Sequence, residues 1–554
     1  MPARSIAGKL PFASVARRLS LGPLGTLEDA PFNAKVLAEA GVLRPVRPDR
    51  LVLALRELAR WGPSPAAGIA TAAISHPNDP VIEDEAGALT FSQLNRRTNS
   101  LARGLRATGV RTGDGVAIMC RNHRGLIEAT LACSKLGAHG LYLNTAFAGP
   151  QLAEVLEREQ PVALIYDAEF AELLSASDLE LWKFVAWAED DAPGDPTLDE
   201  LIAANDDSTL SAPEESSSFV ILTSGTTGTP KGAQRTQPDT LAPVAALLSK
   251  IPLRSRERTM IAAPMFHSWG FAHFTIGMAL NSTYVLRRRF DPEGTLEATA
   301  SSGATALVVV PVMLQRIMEL PAETLARYDL SRLRVTAVSG SVLPGELATE
   351  WMDTFGDNLY NLYGSTEVAW ATIATPEDLR AAPGTAGRPP RGTALRIVDH
   401  DGNDVVPGKT GRVFVGNGLG FDGYTGGGGK EQLGGMLSSG DVGHLDRGGR
   451  LFIDGRDDEM IVSGGENVFP REVEDLLAGH EAVSEVAVIG VPDDEFGQRL
   501  KVFVVTHGDA ELDEDDVKSY VKANLARFKV PREVEFLDSL PRNATGKVLK
   551  RELA

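Results

Sequence analysis

Residues 223–232 read Thr-Ser-Gly-Thr-Thr-Gly-Thr-Pro-Lys-Gly, a run of glycines and hydroxyl side chains that ends beside a lysine. The run follows an apolar segment, residues 218–222, whose composition predicts a buried strand. Glycine permits backbone angles and close approaches that a Cβ would forbid, so the N–H and hydroxyl groups of such a loop can converge on an anion. Lys231 adds a fixed positive charge. The stretch therefore predicts a phosphate-binding loop that follows a strand.

The spacing within this loop differs from that of a mononucleotide P-loop. Gly225 should lead, after four residues, into Gly-Lys-Ser/Thr, and leads instead into Pro-Lys-Gly at 230–232. Residues 234–238 are polar and end in proline, so no helix is expected to begin directly after the loop. A P-loop NTPase is therefore disfavoured.

Length and composition limit the remaining classes. A chain of 554 residues predicts two or more domains, and a net charge of −19 argues against a general nucleic-acid binder. The two cysteines, Cys120 and Cys133, lack metal-ligand spacing and predict buried thiols in a reducing compartment. No stretch reaches the roughly 18 apolar residues of a bilayer span. We therefore expect a cytoplasmic enzyme or binding protein.

The N-terminal segment differs in charge from the rest of the chain. Residues 1–60 carry ten Lys/Arg against five Asp/Glu, a balance of +5. Lys9, Arg17 and Arg18 interrupt the apolar residues, so the segment is not a signal peptide. Two interpretations stay open: a helical arm packed on the core, and a peripheral contact with an anionic membrane surface.

Beyond residue 90, helical and strand patterns alternate, which predicts α/β layers with largely parallel sheet. Helical spacing covers residues 91–108, 125–136 and 151–158, and strand patterns cover 116–120, 162–166, 184–187, 307–310 and 334–338. Short β-rich pieces in the glycine-rich region 384–450 predict a small antiparallel subdomain. The patterns at 483–491, 500–505 and 513–526 predict a small α+β domain at the C-terminus.

Several further motifs have a chemical use. Residues 363–367 read Tyr-Gly-Ser-Thr-Glu, in which a tyrosine offers a stacking face, a hydroxyl can bond phosphate and a carboxylate can hold magnesium. A strand pattern that ends at His267 is followed by further aromatic residues and could wall an apolar pocket. Residues 424–429 read Tyr-Thr-Gly-Gly-Gly-Gly, which predicts a mobile loop without an assigned function.

The motifs at 223–232, 363–367, 439–441, 455–470 and 541–551, in this order, resemble those of the adenylate-forming enzymes: acyl-CoA synthetases, peptide-synthetase adenylation domains and luciferases. The resemblance runs from about residue 90 to the end. It implies an α/β fold with a large N-terminal domain of layered sheets plus a β-rich subdomain, and a small mobile α+β C-terminal domain. The corresponding division is an arm at 1–70, a large domain at 71–457 and a small domain at 458–554.

The resemblance also implies site residues. The residues expected to bind ATP are Thr223, Ser224, Gly225, Thr226, Thr227, Gly228, Lys231, Ser339, Gly340, Ser341, Tyr363, Gly364, Asp441 and Arg456. The catalytic set is Lys547, Thr366 and Glu367, of which Glu367 would hold Mg²⁺. The acid pocket would contain His267, Trp269, Gly270 and Phe271; Asp458 would be the hinge; Gly464, Gly465 and Glu466 would face coenzyme A.

The implied reaction joins a fatty acid to ATP as an acyl-adenylate, which coenzyme A then converts to acyl-CoA. Amino-acid activation is disfavoured, because no aspartate stands near residue 267 to hold an ammonium group. An aryl-CoA ligase and a ligase that loads an acyl carrier protein stay open as alternatives. A non-catalytic acyl- or nucleotide-binding module is the alternative from another class, disfavoured because Lys547 and Glu367 are present. A homodimer and an anionic membrane are further partner hypotheses.

Overall fold

The computed structural model describes most of the chain. The described residues are 28–43, 47–62, 64–176, 179–189, 194–222, 231–234, 240–425, 427–459, 461–463, 466–493, 497–508, 510, 512–543 and 546–553.

The helices and strands of the described residues are numbered in chain order. The helices α1 to α16 are Ala30–Glu39, Pro48–Trp61, Pro65–Ser75, Phe91–Ala107, Arg124–Leu136, Gly149–Glu159, Leu198–Ala203, Ala242–Leu248, Ser268–Leu280, Pro292–Ser302, Pro311–Met318, Ala322–Arg327, Gly345–Phe355, Pro376–Ala381, Pro470–Ala478 and Glu514–Asn524. The strands β1 to β25 are Pro80–Asp84, Gly87–Thr90, Gly115–Met119, His139–Tyr142, Ala163–Asp167, Trp182–Trp187, Phe219–Leu222, Gly232–Gln234, Arg258–Ile261, Thr283–Leu286, Ala306–Val309, Val335–Val338, Leu359–Tyr363, Thr372–Ala374, Ala394–Val398, Gly411–Gly416, Gly423–Tyr424, Gln432–Leu433, Met436–Leu445, Leu451–Arg456, Ile461–Ser463, Glu466–Val468, Val483–Asp493, Gly497–Thr506 and Glu533–Phe536.

Two mainly parallel sheets form the large domain. The first has the strand order β17-β8-β7-β4-β3-β5-β6, in which β8 runs antiparallel to both of its neighbours, β7 and β17, and the other pairs are parallel. The second has the order β14-β13-β12-β11-β9-β10-β1-β2, with antiparallel strands again at its two ends. Parallel strands need helical crossovers, and the apolar faces of α3, α4, α5 and α9 meet the sheets in one continuous core. The predicted α/β layers are confirmed.

Local sequence explains where the core helices begin. Thr90 and Gln93 form a reciprocal capping box at the start of α4, which satisfies two backbone donors at the helix end. The ring nitrogen Nδ1 of His123 accepts from the N–H of Gly125 at the start of α5. Almost every residue of α5 is buried, because the helix lies in the core cluster that both sheets share.

Two smaller sheets follow. Strands β15, β16, β19, β18 and β20 form an antiparallel sheet, as predicted for the glycine-rich region. The last sheet, β22-β21-β24-β23 with β25 beside β24, packs with α15 and α16 around its own core and forms the small domain. The predicted division at 457/458 falls within a short 3-10 turn, Asp457–Glu459.

One element of the large domain differs from its prediction. The sequence pattern predicts a strand that runs to His267, whereas the strand ends at Ile261 and Ser268–Leu280 is the helix α9. Buried side chains occur on all faces of this helix, so its sequence lacks the alternation of polar and apolar residues that marks a surface helix. The boundary at 70/71, predicted between the N-terminal arm and the large domain, lies inside α3, whose Ala66, Ala67 and Ile69 are buried.

Gly387 joins the second sheet to the antiparallel sheet. Its carbonyl accepts from the N–H of Leu451, and a Cβ on Gly387 would lie 2.1 Å from the backbone nitrogen of Ala374. Its φ of +84° is also in the left-handed region. The junction therefore requires glycine for two independent reasons.

We expect Gly387→Ala to destabilise the protein more than Gly392→Ala, the matched control. Gly392 has a similar φ of +79°, but a methyl group added there would meet nothing within 4 Å, so its substitution should cost only the left-handed strain of about 1–2 kcal/mol. Gly387→Ala adds a backbone clash and should exceed about 3 kcal/mol. Thermal unfolding of both variants compares them; equal unfolding temperatures would contradict the close approach at Gly387.

Candidate active site

Four neighbouring parallel strands of the second sheet end at one edge. Strands β13, β12, β11 and β9 lie side by side, and the carboxyl ends of parallel strands are where α/β sheets place their ligands. The loops that follow line one cavity of about 1570 Å³. The predicted site residues among its lining are Ser339, Gly340, Ser341, Tyr363, Gly364, Thr366, Glu367, Asp441, Arg456, Lys231 and Lys547. We therefore place the candidate active site in this cavity, at the carboxyl ends of the four strands.

Asp441 is the centre of a polar cluster in this cavity. The Tyr363 hydroxyl donates to Asp441 Oδ2 at 2.5 Å, and Arg456 Nη1 donates to Oδ1 at 3.1 Å. Burial, together with the Asp441 charge, raises the pKa of the Tyr363 phenol, so the phenol stays a donor. The structure thus brings together three residues that the sequence predicted separately, and adds a hydroxyl role to the tyrosine that was predicted as a stacking face.

Glu367 is buried and accepts two hydroxyl hydrogen bonds. Ser365 Oγ lies 2.9 Å from Oε2, and the Tyr424 hydroxyl lies 2.6 Å from Oε1. Burial acts to raise the pKa of Glu367, but Tyr424, the positive charge of Lys430 and Ser365 outweigh it and hold that pKa below its usual value. Glu367 is therefore an ionised carboxylate whose oxygens could serve as metal ligands. An ionised carboxylate beside the Thr366 hydroxyl fits the oxygen ligands that Mg²⁺ prefers.

Tyr424 and Lys430 are site residues that the sequence did not predict. Strand β17 pairs with β8, which places the Tyr424 ring 5.5 Å from Lys231 Nζ, at the end of the phosphate loop. Gly232 donates its N–H to Thr425 Oγ1, and a Cβ on Gly232 would lie 2.6 Å from that oxygen. Tyr424 and Thr425, at the start of the glycine-rich stretch, therefore contact Lys231 and Gly232, the last two residues of the phosphate-loop motif. The tyrosine and the lysine that flank its glycines are the signal that could have indicated this.

Some predicted residues cannot be placed. Thr223, Ser224, Gly225, Thr226, Thr227 and Gly228, together with Gly464 and Gly465, lie outside the described residues. The backbones of Asp458 and Glu466 are described, whereas their side chains are not.

Helix α9 forms one long wall of the cavity. Its residues Trp269, Phe271, Thr275, Ile276 and Ala279 all line the space. Trp269 is fixed by a hydrogen bond of 3.1 Å from Nε1 to the carbonyl of Val309. A helix of 13 residues is about 20 Å long, so the apolar wall runs well beyond the nucleotide loops.

His267 lies where this wall meets the nucleotide loops. Its Nε2 is buried with no hydrogen-bond partner among the described residues, and burial lowers the pKa of the ring to about 4. The imidazole is therefore neutral at physiological pH and faces the cavity.

Gly270 lies in the first turn of α9 but does not line the cavity. A Cβ there would lie 2.4 Å from the carbonyl oxygen of Pro264. The glycine instead allows the first turn of α9 to pack against the preceding loop. Gly270 is therefore not among the lining residues of the cavity, and its role in the acid pocket stays a prediction.

The small domain reaches the same cavity through its C-terminal loop. A Cβ on Gly546 would lie 2.2 Å from Val312 Cγ1 of α11, and its φ is +78°. The next residue, Lys547, lines the cavity, and its N–H donates to Asn543 Oδ1 at 2.9 Å. The close contact at Gly546 thus presents the lysine to the large domain.

The turn that contains the predicted hinge is held on both sides by ion pairs. Arg412 of β16 lies 2.9 Å from Asp457, and Lys550 of the small domain lies 3.2 Å from Glu459 and 2.9 Å from Glu474. Burial acts to lower the pKa of Lys550, but the two glutamates outweigh it and raise that pKa. The residues before and after Asp458 are therefore anchored to different domains.

A buried group of Cys120, His123 and Asp167 has its ligand atoms within 4.8 Å of one another, close enough to hold a metal ion. His123 Nε2 lies 2.7 Å from Asp167 Oδ1, while Nδ1 accepts from Gly125, so both ring nitrogens are already used. The second Asp167 oxygen accepts from the N–H of Arg121. The group supports the start of α5, and its donor set does not fit a metal.

The polar cluster, the apolar wall of α9 and the lysine from the small domain lie in one cavity, an arrangement that suits an enzyme that joins an acid to a nucleotide. Sequence comparison agrees. The AMP-binding enzyme family matches residues 69–425, and the AMP-binding enzyme C-terminal domain matches residues 472–547. The chain belongs to this family, the adenylate-forming superfamily, as the motifs predicted.

Individual relatives cover most of the chain. A feruloyl-CoA synthase of an Amycolatopsis species is 35% identical over 471 residues, which are 84% of this chain and 93% of that protein. A fatty acid–[acyl-carrier-protein] ligase of Streptomyces coeruleorubidus is 30% identical over 501 residues, 86% of this chain and 93% of that protein. The o-succinylbenzoate CoA synthetase of Bacillus subtilis, solved with its acyl-adenylate intermediate, superimposes with a TM-score of 0.76 at 26% identity, covering 88% of this chain and 97% of that structure.

We expect Tyr424→Phe to move the acid limb of kcat/KM to higher pH. Tyr424 favours the ionised form of Glu367, so its loss raises the pKa of Glu367, and the carboxylate is then lost at a higher pH as pH falls. Tyr328→Phe is the matched control, because it removes a Tyr–Glu hydrogen bond of 2.8 Å to Glu293 away from the cavity. Superimposable pH profiles for wild type and Tyr424→Phe would show that ionisation of Glu367 in the free enzyme does not control kcat/KM.

We expect Gly546→Ala to lower adenylate formation by about 10²-fold, because the added methyl group separates the Lys547 loop from α11. Reaction of chemically prepared acyl-adenylate with coenzyme A should change by less than about threefold, because we expect that step not to depend on this contact. Gly508→Ala is the control within the same domain, with φ +49° and nothing within 4 Å. Equal loss of both half-reactions in Gly546→Ala, with Gly508→Ala unaffected, would contradict a step-specific role for the contact.

Proposed function

We propose that this enzyme, an ATP-dependent acid–CoA ligase by its relatives, activates a medium- or long-chain fatty acid. The observation that carries the substrate class is the apolar wall along the full length of α9. The cavity of about 1570 Å³ exceeds the roughly 300–1,000 Å³ of an ordinary ligand pocket, which supports simultaneous room for a nucleotide and an extended acid. No helix of the described residues has the length and apolar content of a bilayer span.

In the first step, a carboxylate oxygen of the acid attacks the α-phosphorus of ATP. The bond from that phosphorus to the bridging oxygen breaks, and pyrophosphate leaves with the electron pair. Carboxylate and triphosphate repel each other, so positive groups must offset the charge as they meet. We assign this role to Lys231 and Lys547, which reach the cavity from the large and small domains. The Thr366 hydroxyl, 3.1 Å from Ser268 Oγ, is assigned to the α-phosphate.

Glu367 is the residue that would hold Mg²⁺. The ion, when bound, supplies charge neutralisation for the phosphates. The chain's own contribution is to keep the carboxylate ionised and fixed, through Ser365 and Tyr424. Asp441 and Arg456 are assigned to the ribose, because the carboxylate has hydrogen-bond capacity for hydroxyl groups and faces the cavity.

In the second step, the thiol sulfur of coenzyme A attacks the acyl carbonyl, and AMP leaves as the carbon–oxygen bond breaks. We propose that the small domain turns about Asp458, withdraws Lys547 and brings the segment of Gly464, Gly465 and Glu466 to the thiol. The ion-paired residues on either side of Asp458 support this assignment. The neutral imidazole of His267 lies where the apolar wall meets the nucleotide loops. It is suited to donate one hydrogen bond to the carboxyl group of the acid or to accept one from it.

An aryl-CoA ligase is the second candidate. Its support is the 35% identity to a feruloyl-CoA synthase. Phe271, whose ring lies 4.9 Å from that of Tyr142 and 5.2 Å from that of Phe219, offers an aromatic surface inside the cavity. The fatty acid–[acyl-carrier-protein] ligase among the relatives keeps a carrier protein as an alternative acceptor.

We expect kcat/KM for straight-chain acids to rise with length from hexanoate towards palmitate. Each methylene buried along α9 contributes about 0.8 kcal/mol, which is about fourfold per carbon until the channel is filled. AMP release is measured for this series and for benzoate, cinnamate and ferulate, with and without coenzyme A. A flat dependence on chain length, with ferulate the best substrate, would replace the fatty acid by an aryl acid. AMP release that needs no coenzyme A would favour another acceptor.

A further inference from the structure

Exposed apolar side chains are concentrated on one short segment. Eleven large hydrophobic residues are exposed among the described residues, and six of them lie between residues 43 and 58: Leu43, Leu51, Val52, Leu53, Leu55 and Leu58. The other five are scattered over the rest of the described chain. Scattered exposed residues need no explanation, whereas a contiguous apolar patch marks an interaction surface. We name the exposed face of α2, carried by Leu51, Val52 and Leu55, the α2 face.

Helix α2 turns its apolar side outward. Leu51 and Leu55 are one helical turn apart and Val52 lies beside them; Val52 is 67% exposed and Leu55 55% exposed. Two polar residues, Arg50 and Glu57, lie instead on the side that faces the protein. Arg50 donates to the carbonyl of Ser75 in α3, and Glu57 accepts from the indole of the buried Trp61. This orientation is opposite to that of an ordinary surface helix, which turns its apolar side inward.

The charge of the N-terminal sequence favours an anionic partner of the α2 face. Arg56 is exposed beside this face, and so is Arg47, whose guanidinium is paired with Asp49 at 3.1 Å. Residues 1–60 carry a balance of +5 in a chain whose net charge is −19. An anionic surface would repel the bulk of the protein and attract this segment, so the charge distribution orients the molecule as it approaches.

The α2 face is continuous with the acid cavity. Leu55 and Leu58 line the cavity as well as being exposed, so they stand at its mouth. Gly68 and Thr71 of α3 and Thr275 of α9 line the space behind them. A lipophilic acid could therefore pass from an apolar phase over α2 into the cavity without crossing water.

We propose that α2 is an interfacial helix that places the mouth of the acid cavity on an anionic lipid bilayer. A bilayer fits the face better than a second copy of the chain. A helix of 14 residues is about 21 Å long and presents a strip about 10 Å wide, far less than the roughly 800 Å² per partner of a stable protein interface. An amphipathic helix of this size, with basic residues beside its apolar face, is typical of peripheral membrane binding. The use of the surface for substrate entry rests on the proposed function, whereas the binding itself does not.

The test compares the full-length wild type with Leu51→Glu/Val52→Glu, two exposed residues that do not line the cavity. The control is Val406→Glu/Phe536→Glu, which makes the same change at two exposed apolar residues elsewhere. Binding is measured by co-sedimentation with phosphatidylcholine vesicles that contain or lack phosphatidylglycerol, at low and high salt. Wild type and control should bind the anionic vesicles, and more weakly as salt rises. The α2 variant should bind at least about tenfold more weakly.

Two further measurements complete the test. Turnover of hexanoate in solution should be equal in all three proteins, which shows that the α2 variant is folded. Failure of wild type to bind anionic vesicles at low salt, or equal binding by the α2 variant and wild type, overturns the proposal. A wild-type dimer that becomes monomeric in the α2 variant, with no vesicle binding, also overturns it and assigns the face to a second copy. Vesicle binding that depends on α2 in an enzyme that prefers ferulate would refute the fatty-acid substrate and leave the interfacial helix standing.

Discussion

The shared carboxylate of Asp441 is the interaction on which the arrangement of the site depends. It accepts from Tyr363, at the end of β13 in the second large sheet, and from Arg456, the last residue of β20. This partly buried anion thus ties the main sheet to the antiparallel sheet at the point where the chain leaves for the small domain. Removing either partner would leave a partly buried charge with half its compensation, which is costly where solvent screening is reduced. The Asp441 carboxylate consequently fixes the polar cluster relative to the turn that leads to the small domain.

The order of strands in the sheet determines what can be close to this carboxylate. Because β9, β11, β12 and β13 are parallel neighbours, their loops meet at one edge although they are far apart in sequence. The phosphate-loop motif follows β7 of the other sheet in the sequence, and β8 runs antiparallel to β7. Strand β17 pairs with β8, which places the Tyr424 ring beside Lys231. The apolar wall of α9 also follows one of these strands, β9. A single topological rule therefore places the nucleotide loops and the apolar wall side by side.

Much of this organisation was predictable from the sequence, and the exceptions share a physical cause. The alternating patterns indicate the parallel layers, and contiguous motifs indicate Asp441, Arg456, Glu367 and Lys547, because each motif carries its own local chemistry. Helix α9 was missed because burial on every side removes the periodicity on which helix prediction depends. Tyr424 was missed because its role comes from pairing with a strand that lies far earlier in the chain. The outward orientation of α2 likewise depends on tertiary packing, because the same sequence would suit a helix with its apolar side buried.

The ion pairs around Asp458 have a mechanical consequence. Arg412 holds Asp457 to the large domain, and Lys550 holds Glu459 to the small one, so each bond would travel with its own body in a domain rotation. Such a rotation would break neither ion pair, and the change in backbone angle would be confined to Asp458. Lys550 is also only three residues beyond Lys547. If the small domain turns at Asp458, as we propose, the ammonium group of Lys547 would move together with Lys550 and the rest of the small domain.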